Sequence, residues 1–208
     1  MSKIITIGLD LDNTLIEYDE QFYNLALSER LIPKDTERNK TGVRNYLVKK
    51  GLEDEFTKLQ SEIYGVKIMG VIPKDNLLKV LANLGRAGCK LVIISHKTKY
   101  PYKGPKYDLH NAAEKWLELN GLYKFGRKKN IIKKVYFEET KKLKIKRIMS
   151  LNCDVFVDDL TEILNILPKK ILRVHYSKST NSWLAGPTIN DWLDFEKIIN
   201  EVFKPYNK

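Results

Sequence analysis

The chain is poor in cysteine and histidine and has no long apolar run. Its 208 residues include two cysteines and three histidines. Cys89 and Cys153 each precede an apolar, strand-like run. Two isolated thiols supply neither a disulfide framework nor a metal box, and they predict a reducing cytosol, hence a cytoplasmic protein. His110 and His175 lack partners at metal-ligand spacing and read as ordinary core or surface residues. No apolar stretch is long enough to cross a membrane, so no membrane partner is expected. The passage from Met1 into a strand within a few residues predicts no signal peptide. There is no internal repeat and no low-complexity tract.

Apolar content and positive charge are what the chain does have. A hydrophobic fraction of 43% suits one α/β domain with a small insertion, large enough to bury a core without disulfides or a structural metal. The net charge is +11, from 37 basic and 26 acidic residues. Much of the excess lies between Lys124 and Arg147. A basic surface favours anionic partners, from phosphate esters to nucleic acid. The stretch from Lys128 to Lys134 lacks interleaved aromatics and any recognised nucleic-acid motif. It reads as a solvated surface, and no nucleic-acid partner is expected.

Five short runs read as buried parallel strands: "KIITIGL", "CKLVII", "KKVYF", "CDVFV" and "KILRVHY". Helical patterns alternate with them. "PKDNLLKVLANLGRAG" has Pro73 near its start and Gly88 after its end. "DLHNAAEKWLELNG" opens at an Asp108 cap and stops at Gly121. "TKKLKIKRIMSLN" follows a Thr140 cap, and "NDWLDFEKIINEVF" closes the chain. This alternation predicts a Rossmann-like, doubly wound parallel α/β sheet of five strands. About fifty residues after the first strand carry no strand signal by periodicity. They read as three helices, one of them with a Thr41 cap and a Gly51 stop. The expected organisation is a core of residues 1–16 and 73–208, with a small helical cap at 17–72.

In an open α/β sheet, ligands bind outside the carboxyl ends of the strands. Asp10 and Asp12 of "GLDLDNTLI" sit at that end of the first strand, Ser95 at the end of the second, and Asp158 and Asp159 of "VDDL" at the end of the fourth. Two carboxylates ~4 Å apart repel by about 4 kcal/mol at an effective dielectric near 20. Several together need a proton or a hard divalent cation, of which Mg²⁺ is the natural choice. An aspartate can attack phosphorus while a second carboxylate moves the proton. A serine hydroxyl and a lysine at a helix start suit the phosphoryl oxygens.

"DLDNT" after an apolar strand, Ser95 after a second strand, a lysine before "FVDDL", and the order of all four resemble the haloacid dehalogenase (HAD) superfamily of phosphohydrolases, over roughly Ile4 to Glu162. The resemblance implies a Mg²⁺-dependent phosphomonoesterase that works through an aspartyl-phosphate on a small phosphorylated sugar, polyol or nucleoside. It makes Asp10 the nucleophile and a metal ligand. Asp12 becomes the acid/base and lends its backbone carbonyl to the metal, and Asp158 becomes the metal-binding acid. Asp159 or Glu162 would orient metal-bound water. Ser95, with Thr14 bracing the turn, would serve the phosphate. An acid at position 12 favours phosphatases and phosphomutases over dehalogenases. The phosphate lysine is taken as Lys141, because Ile145, Ile148 and Met149 then fall on one buried face; Lys144 and Lys142 are the alternatives. The helical insertion lies where one class of this superfamily carries its cap, with Tyr18, Tyr23 and Arg44 as cap-side candidates for substrate contact. The Lys-, Tyr- and Pro-rich loop after Ser95 adds His96, Lys97 and Lys103, although His96 reads equally as a turn residue. A phosphotransferase of the same fold is the alternative enzyme; a basic nucleic-acid module and a catalytically silent scaffold are the non-enzyme readings. A receiver-type signalling domain is excluded by the order of the motifs, since the paired acids come last here.

Overall fold

The computed structural model describes residues 3–124, 126–127, 129–178, 183 and 185–203. Of the basic stretch, Phe125 and Lys128 lie outside the described residues. The strands are β1 (Thr6–Leu9), β2 (Lys90–His96), β3 (Ile132–Glu138), β4 (Val155–Asp158), β5 (Leu172–Tyr176) and β6 (Thr188–Ile189). They form one parallel sheet in the order β3-β2-β1-β4-β5-β6. The sixth strand, beyond the five expected, is a two-residue edge against β5. A strand so short carries no periodicity to read.

Every residue of β1 and β4 is buried, because helices cover both faces of the sheet. Alternate side chains go to opposite faces. Ile7, Leu9, Leu91, Ile93, Val155 and Val157 join one apolar cluster. Val92, Ile94 and Phe156 join the other, with Ile148, Ile163 and Leu164 of the covering helices. Gly8 lies where a Cβ would come 2.6 Å from the Phe156 ring, so only glycine fits between these strands. At the β3 edge Lys133 and Lys134 are exposed, which discourages pairing with another strand.

The helices are α1 (Asp19–Ser28), α2 (Lys40–Lys49), α3 (Glu53–Tyr64), α4 (Leu77–Arg86), α5 (Leu109–Leu119), α6 (Lys141–Ser150), α7 (Thr161–Ile166) and α8 (Trp192–Val202). Asp108 and Thr140 cap α5 and α6, as expected, by accepting from the backbone N–H groups of Asn111 and Leu143. Two helix starts differ from the sequence reading. Asn39, not Thr41, caps α2: its extended backbone lets the side chain accept from Gly42 N–H at 2.7 Å. The fourth helix starts at Leu77 rather than next to Pro73, because Asn76 at φ 61° breaks the helical path. Phe22, Val43, Leu47, Phe56 and Ile63 of α1–α3 share the apolar cluster that β1 and β2 feed. These helices therefore stand over the carboxyl end of the sheet on a continuous core.

Candidate active site

The chain runs β1, β2, β3 to one side and then β4, β5, β6 to the other, so the order reverses beside β1. That reversal opens a crevice at the carboxyl ends of adjacent strands. The backbone N–H of Asp10 donates to Val157 O at 2.9 Å, continuing the β1–β4 ladder and setting Asp10 beside Asp158. Both side chains are buried, and they share one cation. Lys144 Nζ donates to Asp10 Oδ1 and to Asp158 Oδ2, each at 2.6 Å. The second oxygen of Asp158 accepts from the backbone N–H of Leu160 at 2.9 Å. Asp159 completes the group: Asp10, Asp158 and Asp159 each place a carboxylate oxygen within 4.8 Å of the others. Asn13, held at φ 61° in the turn after β1, donates to Asp159 at 3.2 Å.

The lysine is a correction. Lys141 is exposed and paired with Glu162, also exposed, and neither lines the cleft. Lys144 is the buried one because it lies four residues before Ile148 on the inward helix face. Met149, assigned to that face from spacing, is 37% exposed. Glu162 pairs with Lys141 and is not one of the three clustered carboxylates.

Burial dominates the ionisation of the cluster. It pushes the Asp10 carboxyl up to about 7, with the neighbouring Asp158 and Asp12 adding to the rise and Lys144 opposing it. Burial likewise takes Asp158 and Asp159 up to about 6. The two carboxylates hold Lys144 firmly protonated against its own burial, while each of them has only a share of its charge. Three carboxylates against one ammonium leave two negative charges when all are ionised. The donor set of three hard oxygens with a deficit of two charges fits a divalent cation.

Asp12 stands two residues from Asp10 with both oxygens occupied. Tyr18 Oη donates to Oδ1 at 2.7 Å, and Lys97 Nζ lies 2.7 Å from Oδ2. Tyr18 is fully buried; it holds Asp12 rather than reaching a substrate, which corrects its cap-side reading. Burial, then the Asp12 charge, keeps its phenol well above the ordinary range. Lys97 is also buried, against the Tyr64 ring at 4.6 Å.

These groups open on a cleft of ≈ 300 Å³. Ser95 lines it with a buried hydroxyl that has no hydrogen-bond partner among the described residues. A buried hydroxyl left so is costly unless a ligand meets it. Thr14 is equally buried and unpartnered but does not line the cleft, because the turn carries it inward with Leu15 and Ile16. His96 lines the cleft, with Nε2 3.1 Å from Glu139 O. Lys103 does not; it pairs with Asp54 of α3 at 2.5 Å. Arg44 is exposed on a neighbouring cavity rather than in the cleft.

Among the cleft residues that the sequence reading did not single out are Lys40 from α2 and Thr57, Gln60 and Tyr64 from α3. The last three share one helical face, a spacing visible in the sequence but indistinguishable there from an ordinary polar stripe. The β2–α5 loop fixes that face in place. Ser61 Oγ donates to Pro105 O at 2.7 Å, and Tyr107 Oη donates to Glu62 at 3.2 Å.

No family model and no curated protein matches the chain by sequence. Solved structures match it in shape over almost its whole length. One is described as a predicted phosphatase from Clostridium acetobutylicum, with a TM-score of 0.59 and 16% identity over 96% of this chain and 100% of that one. Another is a HAD family hydrolase from Deinococcus radiodurans R1 with bound phosphate and sodium, with a TM-score of 0.59 and 14% identity over 96% of each chain. A third is described as a dehalogenase, with a TM-score of 0.57 and 11% identity over 95% of this chain and 98% of that one. Among the described residues no helix is long and apolar enough to cross a membrane. With the reversal of strand order beside β1 and the acids at the ends of β1 and β4, these likenesses identify the fold of the chain as that of the HAD superfamily.

Proposed function

We propose that this protein is a Mg²⁺-dependent phosphomonoesterase acting on a small phosphorylated metabolite, with residues 17–72 serving as a cap over the cleft. The observation that carries the reading is the Asp10–Lys144–Asp158 bridge, with Asp159 beside it and a separately held Asp12 two residues on. Asp10, Asp158 and Asp159 would hold the ion, with the Asp12 backbone carbonyl as a further oxygen ligand. When bound, the ion offsets the charge of the phosphoryl group and of the carboxylates.

The Asp10 carboxylate attacks phosphorus, and the bond from phosphorus to the leaving oxygen breaks as Asp12 gives that oxygen a proton. Asp12 then takes a proton from a water molecule, which attacks the aspartyl-phosphate and releases inorganic phosphate with Asp10 restored. Lys144 holds the nucleophile in place. Ser95 Oγ, whose hydrogen-bonding capacity is unspent, meets a phosphoryl oxygen. Asp12 also separates this reading from the dehalogenases among the structural neighbours, because an acid/base is needed where a poor alkoxide leaving group must be protonated. Both cysteines are free and buried, in keeping with a reducing cytoplasm.

The test is phosphate release from a panel of sugar, polyol and nucleoside phosphates, with and without Mg²⁺, beside Asp10→Asn. Release that needs both Mg²⁺ and Asp10 supports the reading. Release by a folded Asp10→Asn protein, or halide release from haloacids instead, overturns it.

A further inference from the structure

A second cavity of ≈ 680 Å³ adjoins the cleft. The two share Asn13, Lys40, Asp159 and Leu160 as walls, so a ligand seated at Asp10 can extend past Lys40 from one into the other. The second cavity carries four basic side chains, Lys40, Arg44, Lys74 and Lys178, and four acids. Each acid has a partner of its own, although Glu37's is a neutral amide and one lysine serves both Glu17 and Asp19. Lys178 pairs with Glu17 and, at 3.5 Å, with Asp19. Asp19 also accepts from the backbone N–H of Lys40 at 3.0 Å. Glu37 accepts from Asn39 Nδ2 at 2.7 Å, and Asp159 belongs to the carboxylate cluster.

Three of the cations are not matched in this way. Among the described residues, Lys40 and Arg44 have no carboxylate oxygen within 4.0 Å. Lys74 has a side chain only 6% exposed, yet its one carboxylate contact is Glu17 at 3.9 Å. Lys40 is held charged by other means: against its own burial, the Tyr64 phenol, by charge and hydrogen bond, and the charges of Asp12 and Asp159 raise its pKa. Both it and Lys74 also lie over aromatic rings. Lys74 Nζ lies 3.8 Å from the centroid of Tyr176, and Lys40 Nζ lies 5.7 Å from those of Phe22 and Tyr64. An aromatic face attracts a cation without cancelling its charge. The result is a pair of partly desolvated ammonium groups, joined by the Arg44 guanidinium, around one space. Burial lowers the Lys74 pKa to about 8, the direction taken by a buried ammonium that lacks a close counter-charge. The first turn of α2, at Lys40 and Thr41, lines the same space and adds the positive end of its dipole.

We propose that this cavity is a second anion site, in which Lys74, Lys40 and Arg44 grip a second phosphate of the substrate while the scissile phosphate lies at Asp10. The inference rests on the phosphatase reading and narrows its substrate class to small bisphosphates. A fully hydrated anion gains little from exposed lysines. A site whose cations are already stripped of water on aromatic seats offers it more.

The experiment measures calorimetric binding to Asp10→Asn, with Mg²⁺ present, of alkanediol bisphosphates of increasing chain length, each beside the monophosphate of the same alcohol. For at least one length the bisphosphate is expected to bind about tenfold tighter or more. In the same background Lys74→Met, which keeps the apolar stem, and Arg44→Ala, at an exposed position, should each collapse that ratio towards one. Equal affinity for both probes at every length overturns the proposal, as does a preference that survives both substitutions. Turnover of the bisphosphates and of the monophosphates by the unsubstituted protein is read separately. Bisphosphate preference without turnover leaves the second anion site standing and removes the phosphatase reading; turnover without preference does the reverse.

Discussion

Lys97 Nζ lies 2.7 Å from Oδ2 of Asp12, and the pair is sheltered under the Tyr64 ring. Tyr18 fixes the direction of Oδ1 by a hydrogen bond, and Lys97 faces Oδ2 as an ion pair without hydrogen-bond geometry. Lys97 is itself held at both ends of its backbone. Its N–H donates to Glu138 O at 3.0 Å, and its carbonyl faces His110 Nε2 at 2.8 Å. Replacing Lys97 by Met leaves Asp12 with Tyr18 alone, free to rotate off the line to the leaving oxygen. We expect kcat to fall about 10- to 100-fold, a part of the roughly 10²–10⁴-fold that a well-placed acid/base supplies. Lys97 touches none of Asp10, Asp158 and Asp159, so the Mg²⁺ half-saturation should hold within about twofold. Steady-state rates across a Mg²⁺ titration read both quantities, and an unchanged kcat would reduce Lys97 to a packing role.

The raised carboxyls of Asp10, Asp158 and Asp159 make stability depend on pH with a definite sign. Their folded values of about 7 and about 6 lie above the ordinary 3.8. Between roughly pH 4 and 7 the folded chain therefore binds more protons than the unfolded one, and stability falls as pH rises through that window. A divalent cation opposes this by favouring the ionised carboxylates. In EDTA, these groups should lower Tm between about pH 5 and pH 7.5. Millimolar Mg²⁺ should raise Tm by several degrees at the higher pH and by little at the lower. Thermal melts at the two pH values check it; a Mg²⁺ shift of equal size at both would remove the cluster as the binding site.

Lys144 and Lys141 lie one turn apart and should respond very differently to the same change. Lys144→Met strands the carboxylates of Asp10 and Asp158 without their shared cation, and breaking a buried pair in this way costs about 3–5 kcal/mol. Lys141→Met removes an exposed pair with Glu162, worth about 0–1 kcal/mol. Urea unfolding in EDTA measures both. Adding Asp10→Asn to Lys144→Met should recover part of the loss, because one stranded charge is gone.

That contrast shows how far the sequence could be read. The acids of "DLDNT" and "VDDL" were legible because a parallel strand must end at the crevice, and nothing in the core tolerates charges there without a reason. The choice among the lysines turned on the rotation of α6 about its axis. Four residues of phase separate Lys144 from Ile148, and the same apolar positions fit a second face on which Met149 is inward. Lys97 read as one cation among several in a basic loop, since its contact with Asp12 joins residues far apart in the chain. The wall of Thr57, Gln60 and Tyr64 depends on where α3 docks, which the loop after β2 sets and which periodicity within α3 cannot specify.

Gly104 is where that docking can be tested without touching the chemistry. It sits at φ +88° in the β2–α5 loop, and a Cβ there would come 3.0 Å from Ser61 Cβ on α3. Alanine is penalised by the left-handed backbone, by about 1–2 kcal/mol, and presses α3 away from the loop as well. The hydrogen bond from Ser61 to Pro105 and the Lys103–Asp54 pair on either side must then lengthen or move. Because α3 supplies the wall opposite Asp10 and Asp12, the displaced wall should weaken substrate binding more than it slows the reaction. We expect Gly104→Ala to raise KM several-fold with kcat within about twofold, the pattern of lost uniform binding. Michaelis–Menten analysis beside a urea melt separates the two effects. Lower stability with an unchanged KM would mean that the loop braces the fold but does not set the height of α3 over the cleft.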